Sequence, residues 1–441
     1  MVKTLNNPTS ITILMLDTTD RTVPNFNGRE AIILAGGLGT RLRDAVPDLP
    51  KCMAPVAGRP FLFYVVNYLR SQGVQRFIFS LGYKHEVITA YLKEHFASLS
   101  YDYVVETTPL GTGGAIALAL TKATQPNVLV TNGDTLFKVN ADTLYQQHTQ
   151  TNAACTLALK PMQDFNRYGV VELNNNNQIV AFKEKQQYDK GLINGGCYLL
   201  NVAQFTGQSW PEKFSFETEF LEKQFNGGSL YGNIQDGYFI DIGIPEDFNK
   251  AQTDLAKPVV NLSEMDNSWT IFLDRDGVFN HDKVGSYVFT PDEFRLYDGA
   301  LEAIKTISQK FGLVLVATNQ RGVGKGLMTV EDLHDVHAKM KEEIEAGGGR
   351  IDQFYYAIEI SNFDPMRKPN PGMAFAAKKD FPQIDMTKAI MVGNNPSDMQ
   401  MGRNAGLYTV YLTTTNPPYV LPHAEVDWQF ETLAQFAAAL K

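Results

Sequence analysis

The sequence has few cysteines and no long hydrophobic run, and these two features exclude several classes of protein. Its 441 residues include only three cysteines, Cys52, Cys155 and Cys197, which are far apart and form no CxxC pair. A disulfide scaffold and a cysteine-rich zinc site are therefore excluded. No apolar stretch is long enough to span a bilayer, and the short run over residues 11–16 lacks the flanks of a signal peptide. We therefore expect a cytoplasmic protein.

Positive charge is also scarce. The chain has 39 lysines and arginines against 48 aspartates and glutamates, which gives a formal net charge of −9. An acidic chain without a basic run is poorly suited to binding nucleic acid or a membrane surface, so neither is an expected partner. Any phosphate ligand must be held by individual basic side chains, backbone N–H groups or a metal ion.

Alternating apolar strands and amphipathic helices predict an α/β protein with two Rossmann-like domains. From Glu30 a strand–helix rhythm favours a mainly parallel sheet covered on both faces, and the strand-rich residues 153–243 extend it. The pattern breaks near residue 257, and a second strand–helix rhythm starts at Trp269. The predicted organisation is an N-terminal extension (1–28), a first domain (29–256), a linker (257–267) and a second domain (268–441).

The densest motif of the first half is a glycine-rich segment, LAGGLGTRL, at residues 34–42. Glycines directly after a buried strand permit close backbone approach and can aim N–H groups at phosphate oxygens. Arg41 adds a forked cation, and Lys51 follows in a proline-flanked segment, residues 50–55. The glycines alone are equally compatible with a tight strand–helix turn.

Further motifs make the first half resemble a known family. Residues 34–42 and 50–56 together are similar to the signature of sugar-1-phosphate nucleotidyltransferases. Other marks of the family follow in order, over about residues 29–255. They are PLGTGGA (109–115), NGD (132–134), FKEK (182–185), NGG (194–196) and FIDIGIPED (239–247). The resemblance implies a mixed sheet and the transfer of a nucleotidyl group from an NTP to a sugar 1-phosphate, with release of pyrophosphate.

The same resemblance implies roles for individual residues. Arg41 would stabilise the transition state, and Lys51 would lie near the α-phosphate or the sugar phosphate. Asp134 and Asp241 would hold Mg²⁺, which neutralises the α-phosphate. Taken alone, Asp241 is equally a turn carboxylate, and Lys185 is equally a surface lysine. The implied nucleotide contacts are Leu34, Ala35, Gly36, Gly37, Gly39, Thr40, Pro109, Gly111, Thr112 and Gly133, and the implied sugar contacts are Glu184, Lys185, Asn194 and Gly195.

The second half carries paired aspartates, Asp274 and Asp276, directly after the apolar run 269–273. In extended chain, residues i and i+2 point the same way, so the two carboxylates face one spot. That spot is at the carboxyl end of a strand, where ligands bind in open α/β sheets. On its own such a pair is a weak indication of a metal or catalytic site.

Later motifs make residues 268–415 resemble the haloacid dehalogenase phosphatases, with a C-terminal parallel sheet. The segments TNQ (318–320), RKPNPG (367–372) and GNNPSD (393–398) follow in order, and with DRDG (274–277) they are most similar to the histidinol-phosphate and heptose-bisphosphate phosphatase branch. The resemblance implies that Asp274 is the nucleophile, which forms an aspartyl-phosphate. Asp276 would protonate the leaving oxygen and then activate water.

The other residues of this second motif set would bind phosphate and metal. By the resemblance, Thr318 and Lys368 hold the phosphoryl oxygens, and Asn319 and Arg367 also bind phosphate. The implied Mg²⁺ ligands are Asp274, Asp276 through its carbonyl, Asn394 and Asp398.

Two departures from the phosphatase pattern matter. Asn394 stands where the family usually has aspartate, so Mg²⁺ binding should weaken unless Asp398 compensates. Residues 356–366 contain no cysteine, whereas many members carry a cysteine-rich zinc loop there. We therefore expect Mg²⁺ in both domains and no zinc.

The two implied activities fit one reaction sequence. Loss of the 7-phosphate from D-glycero-D-manno-heptose 1,7-bisphosphate leaves a 1-phosphate, which a nucleotidyltransferase consumes. The first half is similar to D-glycero-α-D-manno-heptose-1-phosphate guanylyltransferases, which suggests GTP as the nucleotide, although the PLGTGGA segment does not itself fix the base. Two alternatives stay open: another sugar, mannose or glucose, and a second domain that senses a sugar phosphate without catalysis. A homo-oligomer is compatible with the sequence.

Overall fold

The structure is a computed structural model that describes residues 28–37, 42, 46–283 and 285–441. Four residues of the first glycine-rich segment, Leu38, Gly39, Thr40 and Arg41, lie outside the described residues, as does nearly all of the expected N-terminal extension. The roles expected for Gly39, Thr40 and Arg41 therefore stay predictions.

The described chain forms nineteen strands and thirteen α-helices. The strands are β1 (Arg29–Ala35), β2 (Pro55–Val56), β3 (Arg59–Pro60), β4 (Val74–Leu81), β5 (Ser100–Val105), β6 (Asn127–Asn132), β7 (Thr135–Phe137), β8 (Cys155–Phe165), β9 (Val170–Leu173), β10 (Ile179–Lys183), β11 (Tyr188–Asn201), β12 (Leu230–Ile234), β13 (Phe239–Asp241), β14 (Thr270–Leu273), β15 (Leu313–Asn319), β16 (Gln353–Ala357), β17 (Ala389–Gly393), β18 (Tyr408–Leu412) and β19 (Trp428–Phe430). The helices are α1 (Phe61–Ser71), α2 (His85–His95), α3 (Gly111–Leu120), α4 (Ala141–Thr151), α5 (Val202–Thr206), α6 (Glu222–Gln224), α7 (Pro245–Asp254), α8 (Ala300–Lys310), α9 (Arg321–Gly324), α10 (Val330–Ala346), α11 (Gly372–Asp380), α12 (Pro396–Ala405) and α13 (Leu433–Ala439).

The first nine-stranded sheet is mixed, as expected. Its main order is β10–β9–β11–β6–β1–β4–β5, with β8 paired to β11 and β12. β1 pairs in parallel with β4 and β6, whereas β11 runs antiparallel to β6. The apolar run Ala31, Ile32 and Ile33 is fully buried because β1 is a central strand covered on both faces. The glycine-rich segment that follows β1 therefore lies at the same edge of the sheet as the carboxyl end of β6.

The second sheet is parallel throughout, which confirms the predicted fold class. Its order is β16–β15–β14–β17–β18–β19, and each neighbouring pair runs in parallel. The fully apolar β14 lies between β15 and β17. Because parallel strands end at one edge of the sheet, the residues that follow these three strands are brought together.

Each sheet has its own apolar cores. We call residues 28–256 the N-terminal domain and residues 268–441 the C-terminal domain; the limits of the four predicted segments stay a prediction. No helix among the described residues is long and apolar enough to cross a bilayer.

The sequence pattern of residues 430–440 predicts a last helix over that range, and this prediction is wrong at its start. Phe430 ends strand β19, and α13 begins at Leu433. Thr432 explains the later start, because its side chain accepts a hydrogen bond from Gln435 N and caps the helix.

The domains contact each other along one side of the N-terminal sheet. Arg59 Nη2 donates to Ala424 O at 2.8 Å, and Arg70 Nη2 donates to Asn370 Oδ1 at 2.6 Å. Lys257, in the predicted linker, also contacts the C-terminal domain, since its Nζ donates to Leu407 O. Arg70 and Asn370 are both buried, so this contact is part of a closed interface.

A buried carboxylate, Glu30, ties the start of β1 to its neighbours. Its oxygens accept hydrogen bonds from Thr124 N (2.7 Å), Thr124 Oγ1 (2.7 Å), Gln125 N (2.9 Å) and the Arg76 guanidinium. Burial by itself raises the pKa of Glu30, but these hydrogen bonds outweigh it and the pKa is lowered. Glu30 is therefore ionised in the folded protein at neutral pH.

We expect Glu30→Gln to lower the free energy of unfolding of the N-terminal domain by about 2 kcal/mol at pH 7, because hydrogen bonds to a charged acceptor are lost. The carboxylate's contribution is present above its unfolded pKa of about 4.3 and disappears as the pH falls through the lower folded value. Urea unfolding from pH 7 to pH 3 measures both effects. The exposed Glu222→Gln is the control, and equal stability of the two variants at pH 7 would contradict the assignment.

Candidate active sites

The first candidate site begins where β1 and β6 end side by side. Leu34 and Ala35 close β1, and Gly36 and Gly37 follow it. Gly133 N donates to Leu34 O at 2.8 Å, which joins the glycine-rich segment to the Asn132–Asp134 turn. A Cβ on Gly36 would lie 2.8 Å from Glu106 Oε1, so only glycine fits there without displacing that carboxylate.

Two carboxylates and one ammonium converge beside this segment. β13 pairs antiparallel with β7 in a register that sets Asp241 opposite Thr135, next to Asp134. Lys51 Nζ contacts Asp134 Oδ2 and lies 3.3 Å from Asp241 Oδ1. The three side chains are 17–30% exposed, so a ligand can reach them. The structure thus brings together the predicted metal carboxylates and the predicted catalytic lysine.

The donor set of this first site fits a divalent cation. Two carboxylates that face one point are ligands that Mg²⁺ accepts, with water and phosphate oxygens completing its shell. Here the Lys51 ammonium contacts both of them and offsets one of their two negative charges. Gly243 supports the arrangement: its N–H donates to Asp241 Oδ1 at 2.8 Å, and a Cβ would lie 2.8 Å from Lys51 Nζ.

The expected base-contacting segment, Pro109 to Thr112, is fixed by contacts within the protein. Gly111 has φ +73°, and a Cβ there would lie 2.5 Å from Phe214 O, so glycine is required on two grounds. Thr112 Oγ1 donates to Glu217 Oε2 at 2.6 Å and accepts from Phe216 N at 2.9 Å. The Thr112 hydroxyl thus already donates and accepts a hydrogen bond within the protein, and its contact with a nucleotide stays a prediction.

Sequence analysis missed Glu106 in this region. Glu106 directly follows β5, its Oε2 accepts from Leu110 N at 2.9 Å, and its other oxygen faces Gly36. Burial raises the pKa of Glu106 despite the Leu110 hydrogen bond. The available signal was its position, a polar residue at the carboxyl end of a strand that runs parallel to its neighbour.

The expected sugar contacts divide into two groups. Asn194 and Gly195 lie within β11; Asn194 Nδ2 donates to Tyr198 OH at 2.9 Å, and a Cβ on Gly195 would lie 2.3 Å from the Phe137 ring. Glu184 and Lys185 follow β10 and are exposed. Among the described contacts, neither is hydrogen bonded or ion paired with Asp134 or Asp241.

The second candidate site is built around Lys368. Its Nζ lies 2.9 Å from Asp274 Oδ1, 2.6 Å from Asp398 Oδ1 and 2.9 Å from Ala317 O, and its side chain is 1% exposed. Burial by itself lowers the pKa of Lys368, but the two carboxylates outweigh burial and the pKa is raised. A permanent ammonium therefore lies beside the expected nucleophile, Asp274, which directly follows β14.

Asp398 was expected to bind the metal, but its carboxylate lies behind the cavity and not in its lining. It is fully buried, pairs with Lys368 and is not part of the cavity lining. Its Oδ2 accepts from Asn395 N at 2.9 Å, which caps α12. Burial raises the pKa of Asp398 to about 6 even though Lys368 opposes the shift. In this structure Asp398 orients Lys368 from behind the site.

Asn394 lines the site with its amide held in one orientation. Its Nδ2 donates to Thr415 Oγ1 at 2.6 Å, so the carbonyl end of the amide is turned away from Thr415. Gly277 makes room for it: φ is +80°, and a Cβ there would lie 2.0 Å from Asn394 Nδ2. Asp274, Asp276 and Asn394 all line one cavity. Their carboxylate and carbonyl oxygens are suitable Mg²⁺ donors.

Asp276 is held by a network that the sequence did not predict. Arg275 Nη2 donates to its Oδ2 at 2.8 Å, and Asn280 Nδ2 and Gln320 Nε2 donate at 2.8 and 3.0 Å. Burial by itself raises the pKa of Asp276, but the charge of Arg275 and these hydrogen bonds lower it. The carboxylate form is the one that accepts a proton from water; to act as an acid, Asp276 must first take up a proton.

The cavity of the second site has a volume of about 500 Å³, within the usual range for small-molecule sites of about 300–1,000 Å³. Thr318, Asn319 and Arg367 line it together with Asp274 and Lys368. Asn319 also fixes the Lys368 backbone, donating to its carbonyl at 3.2 Å and accepting from its N–H at 3.0 Å. The residues expected to bind phosphate therefore surround one space.

Comparisons with known proteins match the two halves of the chain to two different families. The family described as nucleotidyl transferase matches residues 30–258, and the family described as haloacid dehalogenase-like hydrolase matches residues 217–406. A D-glycero-alpha-D-manno-heptose 1-phosphate guanylyltransferase of Aneurinibacillus thermoaerophilus is 51% identical over 226 residues, covering 51% of this chain and 98% of the relative. The protein of the same name from Campylobacter jejuni is 44% identical, covering 50% of this chain and 96% of the relative.

A solved structure is similar to the other half. It is a D,D-heptose 1,7-bisphosphate phosphatase from B. bronchiseptica complexed with magnesium and phosphate, 31% identical, covering 39% of this chain and 97% of its own, with a TM-score of 0.37. Both resemblances that the motifs indicate are confirmed by the family matches. The chain belongs to the nucleotidyl transferase family and carries, C-terminal to that domain, a haloacid dehalogenase-like hydrolase domain.

Proposed function

We propose that this protein carries out two consecutive reactions on a sugar phosphate. The C-terminal domain removes the 7-phosphate of D-glycero-D-manno-heptose 1,7-bisphosphate. The N-terminal domain then transfers GMP from GTP to the heptose 1-phosphate and releases pyrophosphate. The observation that carries the proposal is the similarity to two relatives named heptose 1-phosphate guanylyltransferases, joined in one chain to an Asp274–Lys368 site suited to phosphate transfer.

In the N-terminal domain the chain's own residues would bind and position a strongly anionic pair of substrates. Asp134 and Asp241 would hold Mg²⁺, which supplies positive charge at the α-phosphate when bound. Lys51 would then exchange its contacts with these carboxylates for a phosphate oxygen. Backbone N–H groups of Gly36 and Gly37 would face the triphosphate. Positioning and electrostatics would account for most of the rate enhancement.

In the C-terminal domain Asp274 would attack the phosphorus of the 7-phosphate. A bond forms between the Asp274 oxygen and phosphorus, and the bond from phosphorus to the sugar oxygen breaks. Asp276 would donate a proton to that oxygen and then accept one from the water that attacks the aspartyl-phosphate, which releases orthophosphate and restores Asp274. Lys368 and Thr318 would neutralise and bind the phosphoryl oxygens. Asp274, the Asp276 carbonyl and Asn394 would hold Mg²⁺, which adds positive charge at the same oxygens when bound.

An alternative function for the C-terminal domain is to sense a sugar phosphate without catalysis. Asn394, in place of aspartate, favours this alternative. The N-terminal domain would then act on another sugar 1-phosphate, such as that of mannose or glucose. The close contact of Lys368 with Asp274 favours catalysis, because it places a phosphate-binding cation 2.9 Å from the nucleophilic carboxylate.

Two matched variants separate the two sites. We expect Asp274→Asn to reduce orthophosphate release from heptose 1,7-bisphosphate by at least about 1,000-fold, because the nucleophile is lost, and to leave nucleotidyl transfer to heptose 1-phosphate intact. Asp134→Asn should reduce nucleotidyl transfer and leave orthophosphate release intact, because a carboxylate that would hold the metal of the N-terminal domain is lost. Orthophosphate and pyrophosphate are measured separately for each variant. Loss of both activities in either variant would contradict independent sites.

The role of Asn394 is tested by restoring the charge. We expect Asn394→Asp to lower the Mg²⁺ concentration that half-saturates phosphate release by about tenfold, because a carboxylate binds the cation better than an amide. Asn362→Asp, which adds the same charge elsewhere on the cavity wall, should change it by less than about twofold. An unchanged half-saturating concentration in Asn394→Asp would remove Asn394 from the metal site.

A further inference from the structure

The cavity of the second site has one wall from the N-terminal domain. Glu94, His95, Ala97 and Ser98 line it together with Asp274 and the phosphate-binding residues of the C-terminal domain. These four residues end helix α2 and begin the turn that follows it. The phosphatase site, as built in this chain, is therefore shared between the two domains.

A buried contact holds this wall in place. Asn370 Oδ1 accepts hydrogen bonds from Arg70 Nη2 at 2.6 Å and Ser98 Oγ at 2.9 Å, both from the N-terminal domain. Its Nδ2 donates to Asn362 O and Asp364 O at 3.0 and 2.8 Å. Asn370 is 2% exposed and lies two residues after Lys368. The same side chain thus joins the N-terminal wall to the segment that carries the phosphate-binding lysine.

His95 is an exposed side chain of this wall, and its Nε2 lies 3.8 Å from Oε1 of the neighbouring Glu94. It is 42% exposed, and its ring packs against the Tyr91 ring one helical turn earlier, with 4.4 Å between centroids. This contact restricts the ring's orientation before any ligand binds. An imidazole donates and accepts hydrogen bonds, which suits a polyhydroxylated substrate.

We propose that the N-terminal domain acts as the specificity wall of the phosphatase, with His95 contacting the sugar portion of a phosphorylated sugar. The reacting phosphoryl group is bound deep in the cavity by Thr318 and Lys368, so the remainder of a substrate extends toward the opening. Arg367 and Lys283 line the cavity with His95, and Lys283 is also paired with Glu293 at 2.7 Å, so Arg367 is the less committed positive charge for a second phosphate on the same sugar. This inference rests on the proposed phosphatase function, and it names the part of the substrate that the N-terminal domain recognises.

The test compares a large and a small substrate on the full-length protein. The large substrate is heptose 1,7-bisphosphate, and the small one is para-nitrophenyl phosphate, which has no sugar to reach the wall. We expect His95→Ala to lower kcat/KM for the bisphosphate by about tenfold, mainly through KM, since one or two hydrogen bonds are lost. Hydrolysis of para-nitrophenyl phosphate should change by less than about twofold.

Lys93→Ala is the matched control, because Lys93 is exposed on the same helix and is not part of the cavity lining. It should leave both substrates at the wild-type rate. Thermal unfolding of each variant checks that the domains remain folded.

Three results would overturn the inference, and they are distinguishable from one another. Equal rates for wild type and His95→Ala on the bisphosphate would show that the wall does not contact the substrate. An equal loss on both substrates would show a general structural effect instead of recognition. If the wild type hydrolyses neither substrate, the proposed phosphatase function itself fails.

Discussion

Repulsion between negative charges is the constraint on which both sites depend. In the proposed reactions each site must bring phosphate groups up to aspartates, and each site has one lysine that lies between two carboxylates. Lys51 lies between Asp134 and Asp241, and Lys368 lies between Asp274 and Asp398. The ammonium offsets part of the negative charge at each site before a phosphate or a cation binds.

The two lysines differ in burial, and the difference matches their proposed tasks. Lys51 is partly exposed, so it can leave the carboxylates for a phosphate oxygen when a cation binds. Lys368 is almost wholly buried and its three N–H donors face Asp274, Asp398 and Ala317 O, so its ammonium is held in place and would act on a phosphate mainly through its charge. A fixed ammonium suits repeated formation and hydrolysis of an aspartyl-phosphate at one spot. A movable one suits a site that must admit two substrates and a metal.

The sequence predicted the fold class and the pairing of Asp274 with Asp276 from local patterns, and both families and the pairing of Asp134 with Asp241 from motif resemblance. A central apolar strand followed by a polar residue is enough to place Asp274 at a sheet edge. What it could not predict depends on contacts between distant segments. Asp398 was expected at the metal, but burial and Lys368 hold it behind the site. The wall formed by His95 and Ser98 is invisible in any motif, because it arises only when the two domains pack through Arg70 and Asn370.

We propose that one chain converts a sugar bisphosphate to a nucleotide sugar by consecutive reactions. A single incubation of the wild-type protein with heptose 1,7-bisphosphate, Mg²⁺ and each NTP in turn tests this proposal, with orthophosphate and pyrophosphate followed over time. We expect orthophosphate to appear with every NTP, and pyrophosphate to follow it, after a lag, only with GTP. Pyrophosphate from added heptose 1-phosphate, without any orthophosphate from the bisphosphate, would contradict it.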